Sequence, residues 1–367
     1  IARCWSWERK KNNISFFSKN FLRYLYSKIN SNFPNEIIRY LIFQTWKPQK
    51  KIKKINYCSK ETKKILIYVG LDLLGDGLLK LPMLKCLRLI FPKSHITWLA
   101  GKGTSVFKSS LKPLSDNLID EVKDNASIGS KISELFLPIN FGKYDIVIDT
   151  QKRLLTTLII KRIQTKIFVS PSCNFFFSDL NPTNRKEKNL SKQLLNLALL
   201  FSNKDNFNYR EKTNCYKIKT VAICPGASVN WKIWNIKNFI EIAKILIKKN
   251  VSPIFILGPK EEKFYKQLKK KFKKKKYISL VKDPMDTIKI ASSCSLGISN
   301  DTGCGHLLAT VGIPIITIFG PTNQQKFSPI GNSKNIALSS QELYNSKNVN
   351  KIKVSDVLTE IEKIIKI

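Results

Sequence analysis

Ile65-Leu66-Ile67-Tyr68-Val69, then Gly70-Leu71-Asp72-Leu73-Leu74-Gly75-Asp76-Gly77, is the stretch of sequence that decides the fold. A short apolar run rich in β-branched residues, bounded by a glycine loop, reads as a strand buried on both faces. The apolar pattern after it, over residues 78–90, has helical spacing and stops near Pro92. A second apolar run, 95–100, reads as the next strand. Strand, glycine loop, helix and strand form a βαβ unit, which implies a parallel sheet. A later strand, 145–149, belongs to the same half, and the polar segment 171–190, with its Pro and Asn residues, reads as a loop.

The pattern then begins again. Val221-Ala222-Ile223-Cys224 is a strand, Pro225-Gly226-Ala227-Ser228 a turn, and 236–249 an amphipathic helix. A strand over 253–257 ends at Gly258-Pro259, and a very basic helix spans 261–276. A strand over 295–299, a loop over 300–305, a helix over 306–311 and a strand over 313–319 follow, closed by Gly320-Pro321. The expected organisation is a basic extension (1–62), a first Rossmann-like domain (63–210), a second (216–345) and a C-terminal helix within 346–367. Ser355 and Asp356 are the expected caps of that helix.

Composition narrows the function. The chain has 367 residues, 43% hydrophobic and 10% aromatic, which is too apolar for a disordered protein and long enough for two cores. No run approaches 18 uncharged apolar residues, so no membrane-spanning helix is expected. Sixty-four basic residues against 26 acidic give a net charge of +38. Only nine of the 64 are Arg, and Lys is abundant together with Ile and Asn. That bias points to a compositional background. A reader of nucleic acid would favour the bidentate guanidinium, so specific nucleic-acid binding is not expected. Eight cysteines without a Cys-x-x-Cys pair, and two histidines far apart, argue against a structural zinc site. Most of the thiols are expected to be small buried hydrophobes.

Residues 1–60 carry 14 basic and two acidic residues between aromatic clusters. Ile14, Phe17, Phe21, Leu25 and Ile29 fall at helical spacing, and Lys50, Lys51, Lys53 and Lys54 follow a second apolar run. Two expectations carry equal weight: an amphipathic segment lying on an anionic membrane, or an extension packing on the next domain.

In open α/β sheets, ligands bind beyond the carboxyl ends of the strands, and three loops there carry unusual residues. Gly75-Asp76-Gly77 sets a carboxylate between two glycines at a helix start, where Asp76 is either a helix cap or a reactive group. Asn300-Asp301-Thr302-Gly303-Cys304-Gly305-His306 gathers an acid, a hydroxyl, glycines and an imidazole at another helix start. Unsatisfied N–H groups and the helix dipole favour a phosphate there. The competing expectation is that Asn300 or Asp301 merely caps the helix. Ser228 and Lys232, in and just beyond the third loop, add a hydroxyl and an ammonium.

Three motifs in order give a resemblance. Ile65-Leu66-Ile67 runs into Leu74-Gly75-Asp76, Leu81-Pro82 and Phe91-Pro92. Pro225-Gly226-Ala227-Ser228 runs through Lys232 and Trp234 to Leu257-Gly258-Pro259. Ser299-Asn300-Asp301-Thr302-Gly303 leads to His306 and Phe319-Gly320-Pro321-Thr322. Over roughly residues 63–335 the chain resembles glycosyltransferase family 9, the ADP-heptose:lipopolysaccharide heptosyltransferases. Gly77, Cys304 and the single hydroxyl of Ala227-Ser228 depart from the family pattern.

The resemblance implies an α/β GT-B fold, two Rossmann-like domains facing across a cleft. It implies an inverting glycosyltransferase that needs no metal and no cofactor beyond its nucleotide-sugar, ADP-heptose. In it Asp76 is the general base on the acceptor side, where Gly75 and Gly77 form the loop. Ser228, Lys232, Asp301, Thr302, Gly303 and His306 hold the donor, with Glu261 or Glu262 on the ribose. The implied acceptor is the lipid-anchored lipopolysaccharide inner core, and the implied location is peripheral, on the cytoplasmic face of the inner membrane. Two alternatives stand beside this: a family relative with another donor or acceptor, or a non-catalytic basic membrane- or nucleic-acid-binding protein on the same scaffold.

Overall fold

The computed structural model describes residues 62–182, 186–202, 220–331 and 334–364. The basic extension over 1–60 and the junction near 210–216 lie outside the described residues.

The first half contains strands β1 (Lys64–Leu71), β2 (His95–Lys102), β3 (Glu121–Lys123), β4 (Lys143–Asp149) and β5 (Gln164–Val169), with helices α1 (Leu74–Ile90), α2 (Lys112–Ser115), α3 (Leu154–Ile160) and α4 (Leu190–Leu199). The strands form one sheet in the order β3-β2-β1-β4-β5, every neighbour parallel. β1 lies at its centre, Ile65 pairing with Ile96 on one side and Ile146 on the other.

Alternation along β1 explains why its apolar run is continuous. Ile65, Ile67 and Val69 enter one core with Leu84, Leu87 and Phe91 of the α1 segment. Leu66 and Tyr68 enter a second core on the opposite face with Val147, Ile159 and Ile160. Successive side chains point to opposite faces, and helices cover both, so neither set can be polar. Each fully buried Ile or Leu contributes about 1.5–3 kcal/mol.

The second half has β6 (Thr220–Cys224), β7 (Ser252–Leu257), β8 (Ile278–Leu280), β9 (Leu296–Asn300), β10 (Ile315–Phe319) and β11 (Asn335–Ser339). Its helices are α5 (Ile236–Lys248), α6 (Glu262–Lys271), α7 (Pro284–Ala291), α8 (Gly303–Val311), α9 (Gln324–Phe327), α10 (Ser340–Tyr344) and α11 (Val354–Ile364). The order β11-β10-β9-β6-β7-β8 is again wholly parallel. β6 divides its side chains as β1 does: Val221 and Ile223 to one core, Ala222 and Cys224 to the other. Val357 and Ile361 of α11 close the first of these cores.

Two helix starts differ from the sequence expectation. α1 begins at Leu74, not near residue 78, so Gly75, Asp76 and Gly77 form its first turn. α8 begins at Gly303, one turn before the expected start. Glycine reads locally as a helix breaker, but packing overrides that propensity here. A Cβ on Gly77 would overlap the Val106 side chain, so only glycine lets α1 approach this closely. The basic helix α6 is also shorter than expected, ending at Lys271. Among the described residues, no helix is long and apolar enough to cross a membrane.

Candidate active site

The loop after β9 is held by Asn300, the fully buried last residue of that strand. Its Nδ2 donates to Pro225 O (2.7 Å), and its Oδ1 accepts from Trp234 N (3.1 Å). The Trp234 indole is buried and donates to Ile352 O (2.8 Å). The segment between Pro225 and Trp234 is therefore fixed at both ends. Within it a 3-10 turn, Asn230–Lys232, presents Lys232.

Lys232 Nζ lies 2.7 Å from Asp301 Oδ2, and Thr322 Oγ1 donates to the same oxygen at 2.6 Å. Asp301 is buried and Lys232 half-buried. Water screens such a pair little, and charge-assisted bonds of this kind are the strong ones. A lysine, a carboxylate and a hydroxyl from three separate loops thus meet at the carboxyl ends of β9 and β10. Asn300 and Asp301 do not cap α8. Its cap position is Thr302, which makes no capping bond and whose buried Oγ1 has no hydrogen-bond partner. The first-turn N–H groups of α8 therefore have no side-chain cap, as an anion site requires.

His306 lies one turn further along α8, half-buried. Burial lowers its pKa to about 4, with Asp301 opposing and Lys232 reinforcing the shift. The imidazole is therefore neutral at pH 7, a polar donor or acceptor and not a second cation. Cys304 packs against the core that holds Cys224 and Cys294, and all three thiols are free. Among the described residues, no group of three or more His, Cys, Asp or Glu is placed to hold a metal.

The two acids that the sequence could not separate have different surroundings. Glu261 folds back over the loop, its Oε2 accepting from Gly258 N at 2.9 Å, and a Cβ on Gly226 would overlap its carboxylate. Burial raises its pKa, with the Gly258 amide opposing. Glu262 instead pairs with Lys266 at 3.0 Å on the exposed face of α6. Of the two, Glu261 is the acid that borders the Gly226 loop. Ser228 is exposed on the same loop as Gly226.

Across from this loop, Asp76 stands half-buried in the first turn of α1. It is not the cap of α1, a position taken by Leu73. Lys80, one turn on, is buried and donates from Nζ to the Asp76 carbonyl at 3.0 Å. Burial pushes its amine below the ordinary lysine value, with Asp72 and Asp76 opposing. Asp72 is buried too, bonded through Oδ2 to Trp98 Nε1 (3.0 Å) and Ser105 Oγ (2.5 Å), while its Oδ1 has no partner. Gly75 has open space beside it, whereas Gly77 faces the core of its own half.

The two halves meet at these helix starts. A Cβ on Gly303 would stand 3.4 Å from Leu74 of α1, and α8 sends Leu307 into the core of the first half. His306 lines a small cavity with Leu78, Leu81 and Ser191 between the halves. Asn189 ties them further: its Oδ1 caps α4 through Lys192 N (3.1 Å), and its Nδ2 donates to Ser328 O (2.9 Å) just after α9. Ser191 Oγ then holds the Leu79 carbonyl of α1 at 2.5 Å. Sequence reasoning missed Asp72, Lys80, Asn189 and Thr322 as site supports. For Lys80 one signal existed: it falls at i+4 from Asp76, on the same helix face.

Comparison with known proteins agrees with this geometry. The family model for glycosyltransferase family 9 (heptosyltransferase) matches residues 137–357. The lipopolysaccharide core heptosyltransferase OpsX of Haemophilus influenzae is 20% identical over 304 residues, covering 75% of this chain and 84% of that protein. A family 9 glycosyltransferase structure from Veillonella parvula superposes with a TM-score of 0.62 at 20% identity, covering 83% of this chain and 97% of that one. The E. coli heptosyltransferase WaaC with ADP gives 0.61 at 16% identity, over 82% and 99% of the two chains. Two parallel-sheet α/β domains of this kind constitute the GT-B fold. With its Lys232–Asp301–Thr322 cluster and uncapped helix start facing the first turn of α1, this chain belongs to glycosyltransferase family 9, the heptosyltransferases, and is a glycosyltransferase.

Proposed function

We propose that the enzyme transfers a heptose from ADP-heptose to the lipopolysaccharide inner core, with inversion at the anomeric carbon and Asp76 as general base. The observation that carries this is the packing of the Asp76 turn of α1 against the start of α8, beside the Lys232–Asp301 pair. The acceptor hydroxyl attacks the anomeric carbon from the face opposite the departing ADP, and its proton passes to the Asp76 carboxylate. The bond from the anomeric carbon to the diphosphate oxygen breaks, and negative charge grows on ADP. Lys232 and the uncapped N–H groups of α8 offset that charge, the kind of preorganised stabilisation that lowers such barriers most. Glu261 takes the ribose hydroxyls. Asp301 and neutral His306 orient the sugar, and Thr302, Gly303 and Ser228 complete the donor contacts. The similarity to OpsX, a lipopolysaccharide core heptosyltransferase, and to the ADP-bound WaaC structure supports the choice of donor and acceptor.

Asp76→Ala tests the assignment of the base. A positioned general base contributes roughly 10²–10⁴-fold, so turnover should fall by about that factor while ADP-heptose still binds. Undiminished turnover overturns the assignment. A screen of nucleotide-sugars, with the product anomer read by NMR, tests donor and inversion together; a retained configuration overturns the single displacement.

In the same proposal, residues 1–60, with 14 basic and two acidic residues, hold the enzyme on the anionic cytoplasmic face of the inner membrane, where a lipid-anchored acceptor is met. Deleting 1–60 should reduce association with anionic vesicles and leave transfer to a short soluble acceptor intact. Unchanged vesicle association removes the membrane role.

A further inference from the structure

The very basic stretch that begins in α6 takes no part in the transfer, and its charge is not background. Residues 263–282 hold ten lysines and no acid, whereas the net charge of +38 over 367 residues averages about two per twenty. A compositional background spreads along the whole chain, so an excess of about fivefold in one segment has a local cause.

The segment is fixed to the second half by its apolar residues. Leu268 of α6 is fully buried, and Phe272, just past the helix, is buried against Phe255 with ring centroids 5.5 Å apart. Tyr277 packs on Phe272 in turn at 6.0 Å, and β8 then pairs with β7 as the last strand of its sheet. With those side chains turned inward, Lys269, Lys270, Lys271, Lys273, Lys274 and Lys276 are all exposed. None of the six has a carboxylate partner among the described residues; the one ion pair of the stretch joins Lys266 to Glu262. Leu280, at the end of β8, is 58% exposed on the same open edge.

Lysine on an edge strand discourages pairing with another chain, but a strand as short as β8 needs little such protection. A nucleic-acid surface would favour guanidinium groups and open stacking rings. The segment has no Arg, and its Tyr265 and Tyr277 rings are half-buried. Ammonium groups on long apolar stems, beside an exposed leucine, suit an anionic lipid surface instead. Resting on the membrane placement proposed above, we infer that the end of α6 and the turn into β8 form a second membrane contact, which lays the second half of the enzyme on anionic lipid headgroups. Unlike residues 1–60, this contact is built into the sheet that carries Lys232 and Asp301. α6 begins beside Glu261 and has ten residues, a rise of about 15 Å, so the contact holds the cleft at a short, set distance from the lipid.

Flotation of the full chain with vesicles of phosphatidylcholine, alone or mixed with phosphatidylglycerol, tests this. Each lysine close to an anionic surface is worth roughly fivefold in binding, less where salt screens it. Lys270→Glu, Lys273→Glu and Lys274→Glu together should cut partition into the anionic vesicles roughly thirtyfold and leave ADP affinity by calorimetry unchanged. The same three positions changed to Gln should cut it roughly tenfold, so the contact is tested even where the Glu chain fails to fold. Glutamate guards an edge strand as lysine does, so a chain that stays soluble but leaves the vesicles separates lipid contact from edge protection. Reversing three exposed lysines of the first half, Lys93, Lys112 and Lys143, alters net charge equally and should cost less than about threefold. Equal losses from the two sets would show net charge acting alone and overturn the inference. Tighter binding of a DNA duplex than of anionic vesicles at the same salt would overturn it too. Wild-type chain that ignores anionic vesicles removes the membrane placement on which the inference rests. Wild-type binding with indifferent Lys270, Lys273 and Lys274 variants removes this contact alone.

Discussion

The Lys232 side and the Asp76 side of the cleft are built in opposite ways. On the first the polar groups bind one another: Lys232 and Thr322 both converge on Asp301, and Asn300 spans two backbone groups. On the second the Asp76 carboxylate makes no hydrogen bond among the described residues, and its support comes from behind, through buried Lys80 and Asp72. The difference corresponds to the division of labour in the proposed transfer. A diphosphate needs a preorganised field before it arrives. A base needs a carboxylate whose lone pairs are left for the acceptor hydroxyl.

Breaking the Lys232 side should have an effect that approaches that of Asp76→Ala and, unlike it, reaches ADP binding. Lys232→Ala removes the cation and leaves buried Asp301 with Thr322 alone. Turnover should fall about 10²–10³-fold, the usual cost of one preorganised donor, and ADP binding should weaken with it. A variant that loses turnover but binds ADP normally would move Lys232 away from the diphosphate. The two neighbouring acids give a smaller, sharper contrast. Glu261→Gln should weaken ADP binding by about tenfold, the worth of a hydrogen bond to a charged group, and Glu262→Gln by nothing measurable. Equal effects on calorimetric affinity would remove Glu261 from the ribose.

The third effect concerns stability, in the first half. Asp149, fully buried at the end of β4, has its pKa raised to about 6 by burial, although Thr157, Ser170 and the Gln151 amide favour its ionised form. The fold thus prefers the protonated acid. Its stabilising contribution is complete below the unfolded value near 4, is lost as pH rises through about 6, and amounts to roughly 2–3 kcal/mol. Asp149→Asn should flatten the pH dependence of the unfolding temperature between pH 4 and 6.5. An unchanged pH dependence would show that Asp149 ionises as it would in the unfolded chain.

Asp76, Lys232, Asp301 and His306 stand out in the sequence as candidates because each sits in or beside a short loop that follows a strand. Glycine, acid and hydroxyl residues at such a place have few local explanations. The two parallel sheets were legible because buried strands write themselves as unbroken apolar runs. Other features depend on contacts that no local pattern records. Asn189 meets Ser328 from 139 residues away. Lys80 is one lysine among many, and only the fold buries it. Trp231 and Trp234 stand three residues apart, one exposed and one buried, and nothing in their spacing predicts which. The early start of α1 follows from how closely Gly77 packs on Val106, a tertiary contact that outweighs the low helix propensity of glycine.

Leu307 belongs by sequence to the second half, yet its side chain completes the core of the first. Swinging the halves apart would return that side chain to water at about 1.5–3 kcal/mol, a bias of roughly tenfold or more toward the shut cleft. A ligand that needs the cleft open to enter must overcome that bias, and one that leaves it shut inherits the benefit. One leucine on α8 thus acts as a spring across the cleft, and shortening it to Ala should shift the two halves toward an open cleft.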